Sequence, residues 1–583
     1  MVQGQGVSCS LVRGVEQARI LGAAMRLKFG FDHTPSTSHQ HPAMHPAQVM
    51  NLGQLLRQTA RQFPHRVALI HGDQVWTWRQ IDQRVDAMVL ALRGLGVAPG
   101  DRLLVLSRNN VQMFESCWVA FRLGAVWVPT NFRLTPPEVA YLAQSSGAVV
   151  LLVEDVFAGH VQAVREASPG LRQVIKIGTA MAGEWRYESL VAAHSDDAGA
   201  GVAEATVAYD DPLWFFYTSG TTGQPKAAVL THGQMAFVVA NHLADLIPGT
   251  TEHDCSIAVA PLSHGAGVHM LLNVARGAAT VLMPGSGLDP ELFWQLVQTH
   301  HVSNLFAVPT IVKILIEHDA VDRYDHSSLR YLIYAGAPMY RADQKLALHK
   351  LGKVLVQYFG LGEVTGAITV LPAHMHSADD DDPNAHVGSC GRPRTGMEVA
   401  IFDANMLPVS TAEVGEICVR GPAVLSHYHA NPEATAKALR GGWFHTGDLG
   451  RVDAQGLLYI TGRESDMYIS GGSNVYPREV EEVLLTHPGV AEVAVLGMPH
   501  KKWGEVGVAV VVRRVNAPTF DMIDLLAHLE GRCARYRWPH HVLFWPELPK
   551  SGYGKVAKND IRKLLEVQGF LGLPGQAAQH QVT

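Results

Sequence analysis

Apolar positions between residues 51 and 360 follow two rhythms in alternation. Unbroken runs at 103–106, 125–128 and 148–153 read as buried strands. Stretches at 81–92 and 111–123 carry apolar residues three and four apart, as amphipathic helices do. Ala68-Leu69-Ile70 and Val75–Trp78 flank His71-Gly72-Asp73 in the manner of a hairpin. Further strands are predicted over 213–216, 256–259, 279–282, 304–308, 329–334 and 353–359, with helices between them. Such alternation predicts an α/β fold of stacked, mostly parallel sheets covered by helices.

Near residue 385 the texture shifts to short strands and glycine turns, at 398–402, 415–420 and 456–460. A small antiparallel sheet or β-barrel-like subdomain is expected there. Beyond Ser465 a compact α+β unit is predicted, with helices at 477–486 and 523–533 and strands at 490–495 and 507–512. The expected division is a disordered extension over 1–49, a large domain over 50–464 with its β-rich part from about 385, a small mobile domain over 465–570, and a tail over 571–583. The polar, proline-containing run from His33 to Pro42 lacks periodicity, which supports disorder in the extension.

Composition narrows the classes. The 583 residues are 47% hydrophobic and 17% charged, with a net charge of −6, so the chain carries no electrostatic footprint for nucleic acid. Six scattered cysteines suit a reducing, cytoplasmic setting rather than a disulfide framework. No apolar run approaches the roughly 18 residues that cross a bilayer, which leaves at most peripheral membrane contact. The 30 histidines form no zinc pattern.

The candidate chemistry centres on Tyr217-Thr218-Ser219-Gly220-Thr221-Thr222-Gly223-Gln224-Pro225-Lys226. Small residues let backbone N–H groups approach an anion, the hydroxyls can donate to it, and Lys226 adds positive charge. The GxxxxGK[ST] spacing of a Walker loop is absent. Four further stretches sit at predicted strand ends or glycine turns. Gln357–Glu363 offers an aromatic for stacking and Glu363 for a cation. Gly442–Asp448 offers an aspartate suited to ribose hydroxyls. Thr461–Glu481 has the polarity and glycines of a hinge. Leu548–Lys555 presents a lysine on a glycine-flanked turn.

Taken in order, YTSGTTGQPK at 217–226, GAP at 336–338, FGLGE at 359–363, WFHTGD at 443–448, GRESDMYISGGSNVYPREVE at 462–481 and PKSGYGK at 549–555 resemble the motif set of the adenylate-forming superfamily. The likeness spans about residues 51–570 and points to the acyl-CoA synthetase and aryl-CoA ligase branch. It implies ATP, Mg²⁺ and coenzyme A as cofactors and cosubstrates, a carboxylic acid as substrate, and a homodimer as one possible state. It implies that Thr218 to Lys226, with Ser219, Gly220, Thr221, Thr222 and Gly223, take the ATP phosphates. Gly336, Ala337, Pro338, Phe359 and Gly360 would line the adenine pocket. Glu363, with Thr218, would hold the metal, Asp448 the ribose with Arg463 in support, and Lys555 would bridge carboxylate and α-phosphate. Ser465 falls at the hinge, and Gly471 and Gly472 would line the pantetheine channel. Trp503 stands near the CoA nucleotide or else caps the small domain's core.

Gly362 replaces the threonine that the superfamily uses to donate to the AMP phosphate, and Thr365 is a candidate substitute. His264 is expected to position or gate the carboxylate end of the acid. The small residues Gly265, Ala266 and Gly267 suggest a deep acyl pocket, hence a medium- or long-chain fatty acid. A benzoate- or hydroxycinnamate-type acid is the alternative. A carrier-protein-loading ligase and a non-catalytic nucleotide-binding protein are the remaining readings of the same fold.

Overall fold

The computed structural model describes residues 48–198, 201–219, 224–285, 287–337, 339–382, 385–463, 465–470, 473–515, 517–550 and 556–568. Two large sheets carry the architecture. In the first, the strands Arg102–Leu106, Val126–Pro129, Val150–Glu154 and Gln173–Ile177 run parallel. Pro212–Ser219 joins Val126–Pro129 in parallel and turns back antiparallel into Pro225–Thr231. The second, nine-stranded sheet has a parallel centre made of Val67–His71, Ala279–Leu282, Cys255–Ala258, Asn304–Ala307, Tyr331–Tyr334 and Leu355–Phe359, with antiparallel strands at its two edges. This is the expected α/β arrangement.

Local chemistry sets the helix ends. Asn110 accepts from the Met113 N–H at the start of Val111–Leu123, and Gly124 closes that helix in the left-handed region. Thr77 with Gln80, and Thr231 with Gln234, form reciprocal caps on Trp78–Gly94 and His232–Asp245. Bulky aromatics fill the space between sheets and helices: Trp127 meets Trp214 edge-on at 4.5 Å, and both are buried.

The β-rich segment departs from one expectation. Glu398–Phe402, Gly415–Arg420, Phe444–Val452 and Leu458–Arg463 pair antiparallel in a linear order, and no pairing among the described residues closes the last strand onto the first. It is an open sheet, not a barrel. Following it, Val490–His500 and Gly504–Arg513 form a long antiparallel ribbon within a five-stranded sheet, and they outrun the apolar stretches chiefly towards the turn that joins them. Helices Pro477–Leu485 and Lys558–Val567 pack on this ribbon. At the other end, Gln48–Val49 pairs with Val207–Ala208, so these two residues belong to the folded body rather than to the extension. The rest of the extension and the tail lie outside the described residues.

Several histidines are buried, and burial outweighs any neighbouring charge in setting their proton affinity. Burial holds His269 down at about 3 and His232 and His376 at about 4; it lowers His242 as well, helped by Arg394 and His269. Their folded-state affinity for protons is below that of the unfolded chain, so the unfolded state binds more protons as pH falls through about 6.5. Stability is therefore expected to drop between about pH 6.5 and 4, by up to about 1.4 kcal/mol per pH unit for each such histidine. Denaturant melts across that range check the slope; a flat profile would refute it.

Candidate active site

Parallel sheets leave a crevice beyond the carboxyl ends of their strands. Here a cavity of about 1150 Å³ lies at those ends. Its wall takes Thr218 from the end of Pro212–Ser219, Phe359 from the end of Leu355–Phe359, Gly336 and Ala337 from beyond Tyr331–Tyr334, and Val308 from beyond Asn304–Ala307. Asp448 and Arg463 line it from the open sheet, and Arg478, Glu481 and Lys558 from the C-terminal unit.

On one side sits a carboxylate cluster. Antiparallel register sets Lys226 opposite Thr218. The Thr218 hydroxyl donates to Glu363 Oε1 at 2.7 Å, and the Tyr428 hydroxyl donates to the same oxygen at 3.0 Å. Burial, then the Glu363 carboxylate, pushes the Tyr428 phenol well above its ordinary range, so it stays a donor. Lys226 Nζ lies 5.7 Å from the centre of the Tyr428 ring. Both donors use one oxygen of Glu363. Its Oε2 has no hydrogen-bond partner among the described residues, and the side chain lines the cavity. A hard cation taking oxygen ligands fits that arrangement.

A second group comes from the open sheet. Register pairs Asp448 with Arg463, whose Nε lies 3.1 Å from Asp448 Oδ1. Asp448 is buried and Arg463 largely exposed. Next to them, His445 Nδ1 lies 2.7 Å from Glu416 Oε2 and 3.4 Å from Cys418 Sγ, while Nε2 faces the Arg440 carbonyl at 3.2 Å. The sequence pattern assigned no metal cluster, yet these three side chains converge. Glu416 already accepts from Arg440 Nη2 and the Gly447 N–H, and the Arg440 cation lies beside it. Burial and then Glu416 push the Cys418 thiol up to about 12, against thiolate formation. The group is an ion-pair network behind the Asp448 turn.

The third wall is apolar and aromatic. His264 precedes the helix Gly265–Arg276, its Nδ1 lies 3.0 Å from the Ser263 hydroxyl, and its ring meets Phe216 edge-on at 5.3 Å. Phe306 and Tyr358 continue the wall, stacked at 5.9 Å, with buried His269 behind Phe306 at 4.8 Å.

The cavity thus joins Thr218, Lys226, Glu363, His264, Gly336, Ala337, Phe359, Gly360, Asp448 and Arg463, all anticipated from motifs. Trp503 is not among its lining residues. It sits 41% exposed on the turn of the ribbon, under Lys502 Nζ at 4.9 Å, so it does not cap a core. Ser465 is exposed, its hydroxyl 3.4 Å from Asp466 Oδ1. Thr365 donates to the Val364 carbonyl at 2.7 Å, which occupies the hydroxyl proposed as a substitute donor. Gly220, Thr221, Thr222, Gly223, Pro338, Gly471, Gly472 and Lys555, and the side chain of Ser219, lie outside the described residues. Motif reading missed Tyr428, Phe216 and the Lys558–Glu481 pair, whose Nζ and Oε1 are 2.7 Å apart in the cavity wall.

Comparison with known proteins agrees with this geometry. Residues 56–429 match the AMP-binding enzyme family, and residues 479–555 match the AMP-binding enzyme C-terminal domain. A feruloyl-CoA synthase of an Amycolatopsis species is 36% identical over 506 residues, covering 86% of this chain and 97% of that protein. The long-chain-fatty-acid–CoA ligase FadD13 of Mycobacterium tuberculosis is 34% identical over 519 residues, covering 88% and 98%. The crystal structure of the anthranilate CoA ligase AuaEII in complex with anthranoyl-AMP superposes with a TM-score of 0.81 at 25% identity, covering 90% and 98%. The chain belongs to the AMP-binding enzyme family, within the adenylate-forming superfamily. It is an acid–thiol ligase of the AMP-forming kind.

Proposed function

We propose that this protein activates an aryl or arylalkenoic acid with ATP and transfers the acyl group to coenzyme A. The observation that carries the reading is the joining, in one cavity, of the Glu363–Thr218–Tyr428 cluster to an aromatic wall of Phe216, His264, Phe306 and Tyr358. A carboxylate cannot expel oxide, so it first attacks the α-phosphorus of ATP; pyrophosphate leaves and a mixed anhydride with AMP results. The CoA thiol then attacks the acyl carbonyl, and AMP departs.

Two anions meet in the first step, so the chain must neutralise and align them. Thr218 and Lys226, with the 219–223 loop, take the β- and γ-phosphates. Lys555 bridges the acid and the α-phosphate. Asp448 accepts the ribose hydroxyls and Arg463 holds its carboxylate. Gly336, Ala337, Pro338, Phe359 and Gly360 receive the adenine. His264 orients the acid's carboxylate. Glu363, with Thr218, is the ligand set for Mg²⁺, which supplies charge neutralisation to the phosphates when bound. The small domain, from Ser465 to about residue 570, swings about Ser465 between the two steps and shields the anhydride from water. Gly471 and Gly472 then border the thiol's path, and Trp503 with Lys501 and Lys502 meets the CoA nucleotide.

The expectation of a fatty acid rested on Gly265, Ala266 and Gly267, of which the two glycines leave the most room to test. A Cβ at 265 would lie 2.9 Å from Phe306 Cε1, and one at 267 would lie 2.1 Å from the Leu262 carbonyl oxygen. The space beside these glycines is filled by a ring and by backbone, so they do not deepen the pocket. A medium- or long-chain acid remains the second reading, favoured by Val259, Met283, Leu288, Ile311 and Ile314, which extend the cavity with aliphatic surface. A panel of benzoate, anthranilate, hydroxycinnamates, phenylacetate and C4–C18 fatty acids separates the two, with AMP release measured with and without CoA. The highest kcat/KM is expected on an aryl or arylalkenoic acid, with CoA accelerating AMP release. Preference for C8 or longer chains would select the second reading, and AMP release indifferent to CoA would remove the thioester step.

A further inference from the structure

Gly362 stands where the superfamily's motif carries a hydroxyl residue, immediately before the cluster's glutamate. Its backbone is not in the left-handed region, so conformation does not demand glycine. Space does. A Cβ at 362 would lie 2.5 Å from Phe216 Cε1, 2.6 Å from Cδ1 and 3.0 Å from Thr218 Cγ2. Nor is the Phe216 ring free to drift away. It is tilted against Trp214 at 5.5 Å, meets His264 edge-on at 5.3 Å, and Trp214 is itself wedged against Trp127. Strand alternation along Pro212–Ser219 points Trp214, Phe216 and Thr218 to one face.

The exchange changes the chemistry at the reacting carboxylate. A threonine at 362 would add a donor for phosphate; the Phe216 ring donates nothing and presents apolar surface instead. That ring lines the cavity between the Thr218–Glu363 pair and the His264–Phe306 wall, where the first carbons of the acid must lie for its carboxylate to reach the phosphate side. A planar sp² carbon next to the carboxyl group can lie flat against such a wall, whereas a tetrahedral one holds its hydrogens out of plane.

We propose that Phe216 is a specificity-determining and positioning residue, whose ring occupies the volume of the absent side chain at 362 and selects acids that are planar at the α-carbon. This rests on the acyl-adenylate reading above. The chemistry it predicts is a preference for aryl or 2-enoyl acids over their saturated counterparts, in either the aryl or the alkyl series.

The test is a double-mutant cycle of Phe216→Ala, Gly362→Thr and the double variant. Acid-dependent ATP–pyrophosphate exchange reports adenylation without CoA. Cinnamate is compared with 3-phenylpropanoate, or 2-octenoate with octanoate if alkyl acids prove the better substrates. Gly362→Thr is expected to lose about 100-fold in kcat/KM, because the threonine displaces the ring. Phe216→Ala is expected to lower the unsaturated-to-saturated kcat/KM ratio about tenfold, chiefly through KM. The double variant should recover at least about tenfold over Gly362→Thr. Effects that simply multiply would overturn the shared volume, and an unchanged ratio in Phe216→Ala would overturn the selective role. Should the wild-type protein exchange pyrophosphate with no acid, the ligase reading fails and the selective role with it. The shared volume is then judged from thermal melts of the same four proteins: additive shifts refute it and non-additive shifts sustain it.

Discussion

Exchanging Glu363 for glutamine is expected to slow acid-dependent pyrophosphate exchange by about 100- to 1000-fold while moving the melting temperature by only about 2–4 °C. The asymmetry follows from how the carboxylate is used. Thr218 and Tyr428 both donate to Oε1, and a glutamine carbonyl can still accept from them, so packing around residue 363 survives. The amide loses the negative charge and turns N–H donors towards the cavity, where the proposed Mg²⁺ would sit. The variant should therefore require much higher Mg²⁺ for half-maximal exchange, and raising Mg²⁺ should restore part of the rate. A variant with the wild-type Mg²⁺ dependence would remove Glu363 from the metal site. Tyr428→Phe provides an internal contrast: it deletes one donor and leaves the charge, so its loss should be nearer tenfold, with the Mg²⁺ dependence little changed.

The parts of this site that were legible in the sequence are those built from neighbours in the chain. The run of hydroxyls and glycines ending at Lys226 follows a strand that was visible as an apolar run at 213–216, though its antiparallel partner Pro225–Thr231 was not predicted. Asp448 follows a recognisable glycine at 447, and Arg463 ends the strand Leu458–Arg463 inside a motif that reads as one block. Tyr428 had no such marker. It reaches Glu363 because the two-residue strand His427–Tyr428 pairs with Ala228 and Val229 at the sheet edge, and no local pattern announces a pairing across some 200 positions. The replacement at 362 was visible as a missing hydroxyl, but its counterpart was not. Phe216 reads as one more apolar residue of a buried strand until a Cβ is placed opposite it. The glycines after His264 showed the reverse: their size was plain, but whether empty space lay beside Gly265 depended on Phe306, some 40 residues later, and beside Gly267 on the Leu262 carbonyl. The β-rich segment was recognised from its short strands and turns, whereas closure into a barrel depends on pairing between its first and last strands, which periodicity does not encode.

Charges inside helices were hidden in the same way, and one of them supports the second large effect. Asp86→Ala is expected to destabilise the protein by about 3–5 kcal/mol. In the sequence Asp86 is a polar position on an amphipathic helix that begins at Trp78. In the fold it is 1% exposed and lies between two arginines. Arg57 grips it through both oxygens, at 2.7 and 2.8 Å, and Arg122 Nη1 donates to it at 2.6 Å. The Val202 N–H adds a fourth donor at 3.2 Å. Asp82 and Glu204 complete the network, which ties the helices Gln54–Gln62, Trp78–Gly94 and Val111–Leu123 to the segment leading into the strand Pro212–Ser219. Removing Asp86 leaves two buried guanidinium groups short of a counter-charge, and water cannot reach Arg122 to replace it. Asp82→Ala, at a partly exposed position, should cost roughly 1 kcal/mol. Arg323→Ala, in an exposed pair with Glu291, should fall within the error of the measurement. Urea melts of the three variants test this ranking. If Asp86→Ala melts no earlier than Asp82→Ala, the buried carboxylate is not what holds these helices together, and hydrophobic contact between them must suffice.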